Sequence, residues 1–203
     1  MNALDLLKAD HRYVDMLFTR IEGTPPSRHM PIFKKILGEM QAHQHIEEKI
    51  FYPLLKERGD KELRDITMEA FEEHEQMKKF LQEINGSSTT KDKREAKLKV
   101  LIEDTRHHVK EEEGEMFSLV EDQFSDEQLD KLGEQMEAEK LKFQKTKGIE
   151  PRKEEAPTTV DVLLEKAKNV VTSITGSSDG SSEESDKNKK GTARGSRSRS
   201  AKA

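Results

Sequence analysis

Four stretches of this chain repeat apolar residues at three- and four-residue spacing, and no stretch alternates as a half-buried strand would. The first runs from about Ala3 to Glu22 and stops at Gly23-Thr24-Pro25-Pro26. The second starts near Pro31, a residue suited to a first helical turn, and runs to about Glu57. The third spans about Lys61 to Ile84, and the fourth about Lys91 to Gln123 after the breaker-rich loop Asn85 to Thr90. Four helices joined by short loops predict an all-α chain folded as an up-down-up-down four-helix bundle. Ser125-Asp126-Glu127-Gln128 then reads as a capping box that starts a further helix, with Leu129, Leu132, Met136 and Phe143 on one side.

The apolar stripes of the four helices are interrupted. Helix one presents Leu7, His11, Val14, Phe18 and Ile21; helix two presents Phe33, Ile36, Met40, His43, Glu47, Ile50 and Leu54. Helix three presents Leu63, Ala70, His74, Met77, Leu81 and Ile84; helix four presents Leu98, Leu101, Thr105, His108, Glu112, Met116 and Leu119. One histidine on such a face is ordinarily a hydrogen-bonded core residue. Six ligand-type residues near the middle of four stripes need a shared explanation, because buried charge without a partner is expensive. A metal cluster supplies one, since carboxylates and imidazoles that lose water gain cations. With no cysteine in the chain, the donors are His, Glu, Asp or Tyr, which suit iron, manganese or zinc.

Spacing and repetition sharpen this reading. His43 and Glu47 are four apart, as are His108 and Glu112, so each pair lies one turn apart on one helix face. Asp10-His11 matches Glu73-His74, and the run from His43 to Pro53 matches that from His108 to Ser118. Two helical hairpins, each giving two His and one Glu, would build a pseudo-symmetric site for two metals with open positions. The other three histidines read as surface residues: His29 in a loop, His45 and His107 on solvated helix faces.

With these residues in place, the chain resembles the hemerythrin-like, or HHE cation-binding, family over about residues 1–147. The matching pieces are Asp10-His11 with Leu17-Phe18, the run His43 to Pro53, Glu73-His74, and His108 to Phe117. The resemblance implies a non-haem di-iron centre, two iron ions bridged by carboxylates and an oxo or hydroxo group. It also implies His11, His43, Glu47, His74, His108 and Glu112 as the metal ligands. One departure stands out. The oxygen carriers of that family have His-x-x-x-His on the third helix, whereas the residue four after His74 is Lys78. One metal would therefore lack an imidazole. Tyr13 and Tyr52 lie on ligand-bearing helices and are read mainly as packing aromatics. Glu48 and Glu111 are candidates to hydrogen-bond the ligands.

A centre of this kind predicts binding or turnover of dioxygen or hydrogen peroxide, in oxidative stress or in iron and oxygen handling. The alternative is an oxygen, nitric oxide or iron sensor or store without turnover. A peroxide-decomposing enzyme would evolve gas, and a sensor or store would not.

The remaining composition sets the context. Charged residues make up 38% and hydrophobic residues 32%, which suits one domain of ordinary size with a polar appendage. No apolar run is long enough to span a membrane, and no secretory leader is visible, so the expected location is cytoplasmic. The net charge of −5 does not point to nucleic acid as the main partner. After the bundle, residues 148–158 read as a charged linker and residues 159–175 as a short amphipathic helix. Residues 176–203 read as a disordered polar and basic tail that would touch phosphate only weakly.

Overall fold

The computed structural model describes residues 1–152. The expected helix over 159–175, the tail over 176–203 and most of the linker lie outside the described residues. Among the described residues five helices follow one another. Helix α1 is Ala3–Glu22. Helix α2 begins as His29–Ile46, passes through a π-helical turn at Glu47–Phe51 and ends as Tyr52–Arg58. Helix α3 is Lys61–Asn85. Helix α4 repeats the plan of α2, with Lys91–Glu111, a π-helical turn at Glu112–Met116 and Phe117–Gln123. Helix α5 is Asp126–Lys147. The first four helices form the bundle, and α5 packs along α1 and α2.

Local chemistry sets the helix starts. The Asn2 side chain accepts from Asp5 N at 2.8 Å, and the Asp60 side chain accepts from Leu63 N at 2.9 Å. Ser125 and Gln128 close the expected capping box before α5. Gly148 ends α5 in the left-handed region, with φ of 65°. Gly133 has a different duty: a Cβ there would stand 2.3 Å from Met1 O, so its absence lets α5 lie against the N-terminus of α1.

The core is split in two. At one end Leu4, Leu7, Phe51, Leu55, Leu63 and Phe117 pack together with Leu129, Leu132 and Met136 of α5. At the other end Phe18, Ile21, Phe33, Ile36, Leu81 and Leu101 pack together. Each fully buried side chain of this size stabilises the fold by roughly 1.5–3 kcal/mol. Every bundle helix passes from one cluster to the other, and the histidines and glutamates of the interrupted stripes occupy the layer between them.

Two expectations about packing are corrected. Beyond Glu47 and Glu112, Met116 is buried as expected, but so are Phe51, Tyr52, Leu55, Phe117 and Val120, while Ile50, Leu54 and Leu119 are only partly buried. The cause is the π turn. Tyr52 N donates to Glu47 O and Phe117 N to Glu112 O, five residues back instead of four, which advances the following face by one residue. On α5, Phe143 is not in the apolar core. It stacks on His45 with ring centroids 4.1 Å apart, and Lys140 and Gln144 are buried instead.

Candidate metal centre

The six residues singled out on the stripes meet in the central layer. All are buried, with Glu47 and His74 fully enclosed. His11 and His43 face each other with Nε2 atoms 3.1 Å apart, and His74 and His108 do the same at 3.2 Å. The two glutamates lie between these pairs. Glu47 Oε2 is 3.1 Å from His43 Nε2 and 3.4 Å from His74 Nε2. Glu112 Oε2 is 3.2 Å from His11 Nε2 and 3.8 Å from His108 Nε2. Each glutamate thus reaches one histidine of each pair.

A second set of carboxylates surrounds the imidazoles and follows the same pseudo-twofold relation. His11 Nδ1 donates to Glu113 Oε1 at 2.7 Å, and His74 Nδ1 donates to Glu48 Oε1 at 3.0 Å. In both cases the acceptor directly follows the central glutamate of the neighbouring hairpin. His108 Nδ1 donates to Glu73 Oε2 at 2.7 Å. His43 Nδ1 faces Asp10 Oδ2 at 3.4 Å, a contact too long and oblique for a full hydrogen bond. Here the acceptor directly precedes the first histidine of the same hairpin. A carboxylate on Nδ1 fixes the proton there and turns the Nε2 lone pair inward. Four lone pairs and two carboxylates therefore converge.

That convergence is unfavourable without a cation. Both oxygens of Glu47 and Oε2 of Glu112 are buried with no hydrogen-bond partner. Burial and the neighbouring Glu112 push the Glu47 carboxyl well above its ordinary range. Burial acts on Glu112 in the same sense, but the surrounding imidazoles, His11 first among them, outweigh it and hold that carboxyl low. Burial would lower His11, yet Glu112 and Glu113 lift it to about 9. His43 is pushed down to about 4, chiefly by burial. His74 is also lowered by burial. Such opposed shifts within one buried cluster single it out as the candidate functional site. The donor set of imidazole nitrogens and carboxylate oxygens fits iron, manganese or zinc.

Tyr52 joins the cluster. Its hydroxyl donates to Glu112 Oε1 at 3.2 Å and lies 3.3 Å from His74 Nε2. The matching position in the other hairpin is Phe117, whose ring stacks at 6.2 Å from that of His11. Both aromatics stand just after a π turn, which aims them at the layer. The Arg152 guanidinium lies over the ring of Tyr13, 4.6 Å from its centroid.

An apolar cavity of about 110 Å³ adjoins the four imidazoles, lined also by Val14, Phe18, Met40, Met77 and Thr105. The Thr105 hydroxyl donates back to Leu101 O at 2.7 Å, so it offers the cavity little polarity. Arg106, on the exposed side of the cavity, donates to Asp15 at 2.8 Å and to Glu22 at 2.9 and 3.0 Å.

The remaining expectations divide. His107 is exposed, as read, and pairs with Glu111, so Glu111 does not hold a central histidine; Glu113 takes that role. His29 is not in a loop. It heads α2, is buried, and bonds Thr24 O and Glu95 at 2.8 Å each. His45 is half-buried and pairs with Glu139 at 2.8 Å. The sequence reading assigned no role to Asp10, Glu73 or Glu113. Their signal was present: an acid before the histidine on α1 and α3, and an acid after the glutamate on α2 and α4.

Comparison with known proteins agrees with this picture. Residues 2–120 match the family described as the hemerythrin HHE cation binding domain. A solved structure of a hemerythrin HHE cation binding domain-containing protein from Mycobacterium kansasii superposes with a TM-score of 0.61. It shares 24% identity and covers 72% of this chain and 89% of its own, and so speaks for the fold alone. A DNA nickase from Nostoc sp. is 28% identical over 152 residues. That match takes in 73% of this chain but only 42% of the Nostoc protein.

Proposed function

This chain belongs to the hemerythrin HHE cation binding domain family, a family of metal-binding helical bundles, and on that premise we propose that its central layer holds two iron ions. His11 and His43 would hold one and His74 and His108 the other, with Glu47 and Glu112 within reach of both. The observation that carries this reading is the placement of each glutamate against both histidine pairs while its own oxygens lack partners. A carboxylate has two oxygens and can serve two cations at once.

The function this supports best is binding of, or reaction with, dioxygen or hydrogen peroxide. Iron bound here would supply the electrons for that chemistry. The chain supplies the rest. Glu113, Glu48 and Glu73 fix the proton on Nδ1 of His11, His74 and His108 and so fix which nitrogen faces inward, and Asp10 faces Nδ1 of His43 more loosely at 3.4 Å. Tyr52 holds Glu112 through its hydroxyl and brings a proton donor to the cluster. The cavity beside the imidazoles is small and mostly apolar, with Asp15 and Arg106 also in its lining, which suits a neutral molecule of two to four atoms. Nitric oxide meets the same description, which favours a second reading as a sensor or store.

DNA nicking is not carried over from the Nostoc relative, because less than half of that protein is matched. The readings separate on one assay of the iron-loaded chain. Gas evolved from hydrogen peroxide, abolished by H43A, supports turnover. A reversible spectral change with dioxygen or nitric oxide and no gas supports the sensor or store. Neither response would overturn both.

A further inference from the structure

The four carboxylates that hold the imidazoles are not equally free to do so. Asp10 is the most buried of them and accepts from Lys140 Nζ at 2.6 Å through each oxygen. Arg152 donates to it as well, and also to Glu39 at 3.1 Å and to Ala9 O at 3.3 Å. Lys140 is itself buried. Its counterpart Glu73 accepts from His108 and is partly exposed. Glu48 does meet a cation, Lys78 at 2.6 Å, but Lys78 is about a third exposed and is shared with Glu75. The geometry at the imidazoles follows the same order. Asp10, engaged by two cations, stands 3.4 Å from His43, whereas Glu73 stands 2.7 Å from His108. Lys140 belongs to α5 and Arg152 to the segment after it, neither of which has a counterpart beside the α3–α4 hairpin among the described residues.

We infer that Lys140 and Arg152 are positioning residues that draw Asp10 away from His43, so that the ion on the His11/His43 side is the more weakly held of the two. A carboxylate strengthens a metal-bound imidazole by attracting its Nδ1 proton, and cations on the carboxylate reduce that attraction. The two positive side chains also act directly against a nearby metal cation. Helix α5 therefore makes a pseudo-symmetric centre unequal. The inference rests on the two-metal reading above.

The test loads the full chain with cobalt(II) and titrates it with EDTA. Two classes of bound ion with unequal affinity are expected. H43A should remove the weaker class and H108A the tighter one. K140M should raise the affinity of the weaker class about tenfold, within the range of outer-partner effects on metal sites, and K140R should keep the wild-type gap. R152M should act in the same direction by less, and it replaces K140M should that variant fail to fold. Two ions of equal affinity overturn the inference and leave the two-metal reading intact. Loss of both classes alike in K140M and R152M, or no change in either, also overturns it, the former by showing a merely structural role. A chain that binds fewer than two ions overturns the reading itself and the inference with it.

Discussion

At the scale of single residues, the centre is defined by what each imidazole nitrogen meets. Nδ1 meets an acid from a neighbouring helix and Nε2 meets its partner imidazole and a shared glutamate. Tyr52 adds one hydrogen bond to this layer. Y52F should lower stability by about 1–1.5 kcal/mol, the value of a buried hydrogen bond, as read by denaturant unfolding, while leaving both metals bound. A full loss of metal in Y52F would assign the hydroxyl a larger part. Asp10 carries a pH signature. Burial would raise its carboxyl, but His43, Lys140 and Arg152 together hold it well below the ordinary range. A carboxyl depressed in the folded state contributes stability above its unfolded value and loses it as the pH falls. The melting temperature of the metal-free chain should therefore drop from about pH 3.9 downward, and D10N should flatten that drop. An unchanged acid limb in D10N would contradict the assignment. The ligand-type residues were legible because each breaks an apolar stripe. Asp10, Glu73 and Glu113 escaped because acids beside histidines on charged helices are ordinary, and only the fold shows which imidazole each one reaches.

At the scale of elements, the π turns matter most. The 3.6-residue period located α1 to α4 well, and the capping box located α5. It missed the change of face after Glu47 and Glu112, because an i to i−5 hydrogen bond leaves no mark in apolar spacing until the next turn is compared with the last. Gly114 lies in the second π turn, and a Cβ there would meet nothing within 4 Å. G114A should therefore be neutral or stabilising by up to about 1 kcal/mol, through helix propensity. Inserting one alanine after Met116 should instead rotate Phe117 and Val120 off the core by about 100° and cost several kcal/mol. Thermal melts of the two variants check the contrast. An insertion as mild as the alanine substitution would show that the face set by the π turn is dispensable.

At the scale of the whole molecule, two apolar clusters clamp a polar layer, and α5 closes one flank. The bundle was legible from periodicity and loop length. The burial of Lys140 was not, because a lysine between Met136 and Gln144 reads as solvated surface until Asp10 is seen opposite it. No helix among the described residues is long and apolar enough to cross a membrane. Removing the metals should weaken the whole fold. An ion present at a hundredfold excess over its Kd stabilises by about 2.7 kcal/mol. The chelated chain should therefore melt several degrees lower, a shift that calorimetry would resolve. An unshifted melt would deny that the layer needs its cations.

The central claim is met most directly by elemental analysis of the full chain produced with iron, together with its visible spectrum. About two irons per chain, an oxo-bridged ferric absorption, and a sharp fall in metal content in H43A and E112A are expected. No iron, a single zinc, or two irons that persist in both variants would contradict the assignment of these six residues to a di-iron centre.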